Sequence, residues 1–186
     1  MGGNESKEKL SQKNIELLAQ TTCFSAQEVQ SWWIRYQQLT QNNNNSVKFD
    51  EVRFKEMLGI GSKPVSDRIF SAFMENNKNK NITFTDFIRG LSSISSRSPI
   101  SEKAAFFFNI YDQQRTGFIT KDDLFTFLND VVESSPYIQL NELQMMGLVE
   151  KTFLEMDSDQ DGRISFEEFK AYANSNPSIF DMCNLK

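Results

Sequence analysis

Four times along the chain a polar run gives way to one apolar residue, then a polar residue, then a stretch with apolar positions at helical spacing. The repeats centre on Val47 (NNNNSVKFDEV), Ile82 (NKNKNITFTDF), Ile119 (QQRTGFITKDD) and Ile164 (SDQDGRISFEEF), at steps of 35, 37 and 45 residues. An amphipathic stretch also precedes each polar run, so the pattern predicts helix–loop–helix four times. The helix starts are legible too. Ser25 and Glu28 form a capping box, with Phe24 and Val29 placed for a hydrophobic staple. Val29, Trp32, Trp33 and Tyr36 then share one helical face. Thr83 with Asp86, Thr120 with Asp123 and Ser165 with Glu168 repeat the Ser/Thr-x-x-acid start.

The serine-rich run 91–99 (LSSISSRSP) reads as a linker. It divides the chain into an N-terminal segment 1–24, a first pair of units 25–95, a second pair 96–175 and a tail 176–186. One helix–loop–helix unit cannot bury its apolar face alone. Two units can, if the apolar residue of each loop joins a short two-stranded β contact with its neighbour. The predicted fold is therefore all-α, in two lobes, each a pair of such units.

The polar runs carry the chemistry. An EF-hand loop of 12 residues offers calcium oxygens at positions 1, 3, 5, 7 and 12; position 7 uses its backbone carbonyl, position 12 is a bidentate Glu, and position 6 is Gly for the turn. The fourth loop meets every requirement. Asp157, Asp159 and Asp161 fill the first three ligand positions, Gly162 the turn, the Arg163 carbonyl position 7, and Glu168 closes. Four carboxylates so close repel one another unless a divalent cation joins them. The third loop offers Asp112, Gln114, Thr116, the Phe118 carbonyl and Asp123, with Gly117 at the turn. It has half the carboxylates, and its closing Asp is a methylene shorter than Glu, which favours Mg2+ or weak Ca2+ binding. The second loop, Glu75 to Asp86, has Lys80 where Gly belongs and reads as a packing element. The first, read as Thr40 to Glu51 with Asn42, Asn44 and Ser46, reads as vacant.

Composition narrows the function classes. The 186 residues include 17 Phe and carry a net charge of −5, which speaks against general nucleic-acid binding. There is no His, so His-based triads and His-containing zinc sites are excluded. The two cysteines, Cys23 and Cys183, form no framework. No nucleophile–base set or phosphate loop appears, which points away from an enzyme. The polar start of the chain shows no secretory signal, and the expected compartment is the cytoplasm. Gly2, in M-G-x-x-x-S, fits N-myristoylation, with Lys7 and Lys9 close behind. One acyl chain supports only reversible membrane association.

Together these motifs resemble the calcineurin B and calcineurin B-like calcium-sensor family over nearly the whole length. The resemblance is carried by SDRIF (66–70), IYDQQRTGFITKDDL (110–124), VEKTF (149–153), DGRISFEEF (161–169) and NPSIFDM (176–182). It implies four EF-hands in two lobes, an apolar groove for a helix of a target enzyme, and N-myristoylation. The implied partner is the catalytic subunit of a protein phosphatase or a protein kinase. The chain departs from calcineurin B in its first two loops, where most acidic ligands are missing. The expected role is a calcium sensor and regulatory subunit; a calcium buffer without a dedicated target is the alternative.

Overall fold

The computed structural model describes residues 10–40, 49–58, 64–74 and 82–183. Within them the chain is helical, with one small sheet. The helices are α1 (Gln12–Thr21), α2 (Ala26–Thr40), α3 (Glu51–Leu58), α4 (Pro64–Phe73), α5 (Phe84–Ile94), α6 (Ile100–Tyr111), α7 (Lys121–Ser134), α8 (Glu142–Met156) and α9 (Phe166–Ser175). A 3-10 segment, Pro177–Cys183, follows. Strands β1 (Phe118–Ile119) and β2 (Ile164–Ser165) pair antiparallel, with Phe118 opposite Ser165 and Ile119 opposite Ile164. None of the described helices is long and apolar enough to cross a membrane.

Local chemistry sets the helix ends. Thr83, Thr120 and Ser165 cap α5, α7 and α9, each in a reciprocal box with the acid three residues on. Ser25 and Glu28 do the same for α2. Asp112 and Asp157 end α6 and α8, their N–H groups donating to the Phe108 and Phe153 carbonyls at 2.9 and 2.8 Å. In these two loops the first acid is thus also the C-cap of the helix before it, so helix termination aims the carboxylate into the loop.

The core is aromatic and continuous. Phe49, Phe54, Phe87, Phe107, Phe153 and Phe169 are fully buried, each worth about 1.5–3 kcal/mol in removed apolar surface. Rings meet mostly edge to face, as their quadrupoles prefer: Trp33 on Phe84 at 4.9 Å, Phe49 on Phe87 at 5.4 Å, Phe54 on Phe73 at 4.7 Å. The contact of Phe73 with Phe106, at 5.3 Å, joins the first pair of units to the second. Polar links run beside that seam. Buried Arg68 of α4 donates to Asp130 of α7 and to the Ile110 carbonyl at 3.3 Å. Arg115, from the third loop, donates to the Ser71 carbonyl at 3.3 Å. A buried guanidinium is tolerable because its donors are paired.

The structure shortens the linker, and it fills in both ends of the chain and the first pair of loops. Residues 91–94 belong to α5, so the connection between the halves is only 95–99; serines of the run sit on a helix whose buried face has Phe84, Phe87 and Ile88. Arg97 from that connection pairs with Glu28 at 2.9 Å. The N-terminal segment contains α1, capped by Ser11, with Ile15 and Leu18 buried. The tail packs on the core, Phe180 meeting Phe107 at 5.0 Å. Among the described residues the first pair of loops has no strand: its contact is one hydrogen bond, from the Ile82 N–H to the Phe49 carbonyl at 3.0 Å.

Gly90 of α5 lies against α4 because nothing larger fits. A Cβ there would stand 2.3 Å from Phe73 Cδ1 and 2.4 Å from Cε1. The ring has no retreat, being held between Phe54 and Phe106. Gly90→Ala is therefore expected to destabilise the protein by about 1–3 kcal/mol, despite alanine's better helix propensity. Urea unfolding followed by circular dichroism checks this; an unchanged or raised midpoint contradicts the packing described.

Candidate metal centre

The fourth loop brings together the acids that its spacing predicted. Carboxylate oxygens of Asp157, Asp159 and Asp161 all lie within 4.8 Å of one another. Gln160 and Gly162 take positive φ, 61° and 85°, which folds the loop tightly enough to do this. For Gly162 that backbone costs little, because no Cβ opposes it. Backbone N–H groups aim the acids: Gly162 donates to Asp157 Oδ2 at 3.1 Å, and Asp161 to Asp159 Oδ1 at 3.1 Å. The other Asp157 oxygen, Oδ1, is buried without a hydrogen-bond partner. A buried carboxylate oxygen left unpaired is costly. A cation among the three acids would satisfy it, and a hard oxygen-seeking ion such as Ca2+ fits this donor set.

Glu168 closes the loop from α9. Its Oε1 accepts from the Ser158 N–H at 2.9 Å, the Ser158 hydroxyl at 3.0 Å and the Asp159 N–H at 3.3 Å. Its Oε2 accepts from the Ser165 N–H and hydroxyl, both at 2.8 Å. Burial on its own would raise the Glu168 carboxyl. The donors at Ser165, Asp159 and Ser158 outweigh it and hold the group down at about 2. The closing carboxylate is therefore ionised and already turned toward the start of the loop. Arg163 follows Gly162; its N–H and Nε both donate to Asp161, at 3.0 and 2.8 Å.

The third loop has the same backbone and different chemistry. Arg115 and Gly117 take φ of 56° and 86°, as their counterparts do. Asp112, however, has both oxygens satisfied: Oδ1 by the Thr116 N–H and hydroxyl at 2.9 and 3.2 Å, Oδ2 by the Gly117 N–H at 2.8 Å. The one hydroxyl hydrogen of Thr116 is shared between Asp112 and the Phe118 carbonyl, which lies 2.9 Å away. Gln114 is exposed. Asp123, one methylene shorter than Glu, keeps its carboxylate on Thr120 at 2.6 and 2.9 Å. Glu168 spans its loop, whereas Asp123 stays at the helix cap.

The other two loops fall largely outside the described residues, including Asn42, Asn44, Ser46, Glu75, Asn77, Asn79 and Lys80, and Gly2 does too. What is described of the first loop corrects its register. The Asp50 carboxylate accepts from the Arg53 N–H at 3.1 Å, and Phe49 makes the interloop bond to Ile82. Asp50 is thus the counterpart of Thr83, and Phe49 of Ile82, so the loop runs two residues later than Val47 and Glu51 suggested. Its closing position falls on Arg53, whose guanidinium reaches the Thr40 carbonyl at 3.4 Å. The misreading arose because Val47 and Phe49 are both apolar in a run without Gly. Sequence reasoning also missed Ser158, whose hydroxyl holds Glu168; nothing in the ligand pattern marks it.

Two loops of this shape, paired through β1 and β2, define a calcium-binding protein of the paired EF-hand class. A model of an EF-hand domain pair matches residues 101–173. Similarity extends well beyond that pair. The chain is 34% identical over 159 residues to calcineurin B of Candida glabrata, covering 86% of this chain and 87% of the relative. It is 35% identical over 156 residues to calcineurin B of Schizosaccharomyces pombe, covering 84% and 86%. It is 31% identical over 160 residues to calcineurin B type 1 of Dictyostelium discoideum, covering 86% and 85%. The chain belongs to the calcineurin B-like EF-hand family.

Glu168→Gln removes the closing charge while keeping the cap's shape. Calcium affinity measured by calorimetry should fall at least about tenfold, or about 1.4 kcal/mol. Unchanged affinity would show that the ion is held elsewhere.

Proposed function

We propose that this protein is the calcium-binding regulatory subunit of a calcineurin-type Ser/Thr phosphatase and that it clasps an amphipathic helix of the catalytic subunit. The observation that carries the reading is the similarity to calcineurin B across most of both chains. The relatives' shared name favours a phosphatase partner over a kinase, the other class considered.

The structure supports a helix partner as well. Beside the tail, α7 and α8 enclose an apolar groove of about 340 Å³, lined by Leu124, Phe127, Leu128, Val149, Met156 and Ile179. Grooves of this kind receive helices through apolar anchors at i, i+3, i+4 and i+7. Further apolar surface on α8 stays open, with Leu143 80% and Leu154 65% exposed. A calcium buffer has no use for such surface.

In this reading the fourth loop is the calcium site, with Asp157, Asp159, Asp161, the Arg163 carbonyl and Glu168 as ligands. When bound, the ion supplies charge neutralisation and a fixed loop geometry. The unpartnered Asp157 oxygen supports that assignment. The satisfied oxygens of Asp112 support a third loop that holds its shape by its own hydrogen bonds, with Asp112, Gln114, Thr116, Phe118 and Asp123 taking Mg2+ or weakly bound Ca2+. Residues 25–95 and 96–175 form the two EF-hand pairs, the first a packing unit that needs no ion. Gly2 is the acylation site and gives reversible membrane association.

A phosphatase-derived helix and a kinase-derived segment, titrated with and without calcium, test the partner. The phosphatase helix should bind more tightly than about 100 μM, an affinity worth about 5.5 kcal/mol, and the kinase segment should not. Binding of neither sinks the regulatory reading, and selective binding of the kinase segment replaces it. For the lipid, co-expression with an N-myristoyltransferase should add one myristoyl group to the intact mass of the wild-type chain and none to Gly2→Ala. No added mass on the wild type refutes acylation.

A further inference from the structure

The side chain of Arg163 makes two contacts that its role as a backbone ligand does not need. Nε donates to Asp161 Oδ2 at 2.8 Å, while the residue's own N–H takes Asp161 Oδ1 at 3.0 Å. Both oxygens of one acid are therefore held by a single residue. The guanidinium carbon also stands 4.0 Å from the centroid of the Phe118 ring. Phe118 comes from the other loop, where it lies in β1 opposite Ser165. A ring face attracts a cation, and guanidinium stacks on aromatic rings better than a compact ammonium does. The arm is half-exposed, at 52%, and a lone surface ion pair at that exposure has little effect. Here, however, the ring holds the charge on Asp161, one of three acids whose oxygens crowd within 4.8 Å.

We infer that the Arg163 guanidinium is a tethered counter-cation that sets how tightly the fourth loop binds calcium. Without the ion it offsets part of the repulsion among Asp157, Asp159 and Asp161, so the empty loop keeps its shape. An incoming ion meets a cluster already partly neutralised, which weakens its binding. Because the seat is Phe118, the third loop adjusts the affinity of the fourth through a side chain rather than through an ion of its own. The inference rests on the fourth loop being the calcium site.

Chelator-competition titrations of the intact chain test it, together with melting curves in excess chelator. Arg163→Gln should tighten calcium binding about three- to tenfold, the scale expected for removing one charge near a divalent ion in a largely aqueous setting. The same variant should melt at a lower temperature than the wild type in chelator. Arg163→Lys keeps the charge and loses the planar fork, and should fall between the two. Phe118→Leu changes no charge and retains the backbone carbonyl; by unseating the guanidinium it should shift affinity in the same direction as Arg163→Gln. Lys170→Gln removes an equal charge from α9, where Lys170 pairs with Glu167 rather than with a ligand, and should change affinity less than twofold. Arg163→Gln within twofold of wild type overturns the inference. So does Lys170→Gln matching its effect, since net charge alone would then be responsible. A wild-type chain that binds no calcium overturns the reading of the loop, and this inference with it.

Discussion

Ile119 and Ile164, fully buried and facing each other across two-residue strands, hold the second pair of loops together. A helix–loop–helix unit has an apolar face and too little mass to cover it, so it is stable only against a second unit. The strand pairing supplies register to that association. Everything that the candidate centre needs follows from it. The pairing fixes where α7 and α9 begin, so Asp123 and Glu168 sit at equivalent heights, and it sets Phe118 under the Arg163 guanidinium. A loop that lost its partner would keep its ligand sequence and lose the surface on which the acids are arranged.

Within that frame the two loops diverge through electrostatics. Both adopt the same backbone, down to a non-glycine residue in the left-handed region at Arg115 and Gln160. The third loop saturates its first acid with Thr116 and Gly117. The fourth leaves an Asp157 oxygen buried and bare and gathers three acids, one buried and two exposed, within 4.8 Å of one another. One loop thus satisfies its first acid from within, and the other leaves an oxygen that a cation would satisfy. The difference comes down to a few side chains: Asp159 and Asp161 against Gln114 and Thr116, and Glu168 against Asp123.

The aromatic core explains how two pairs of units act as one body. Phe73 touches both Phe54 and Phe106, and Gly90 lets α5 approach close enough to trap it. Arg68 and Arg115 add hydrogen bonds between α4 and the elements around the third loop. In the first pair, Arg53 takes the closing position of its loop and reaches back to the Thr40 carbonyl.

Local chemistry was enough to make the fourth loop, the capping boxes and the all-α class legible from the amino-acid order alone. A ligand every second residue, a glycine at the turn and an acid three residues past a Ser or Thr are short-range patterns, and they survive whatever packs around them. The register of the first loop was not legible, because Val47 and Phe49 are both apolar and only the bond between Phe49 and Ile82 chooses between them. The extent of α5 through Ile94 depended on the buried face it shares with Phe84, Phe87 and Ile88, which outweighs the turn preference of its serines. The bare oxygen of Asp157, the hold of Ser158 on Glu168 and the seat of Arg163 on Phe118 are likewise properties of the folded chain. Each depends on how the chain packs around the loop, and no spacing rule reports which donors will be spent before an ion arrives.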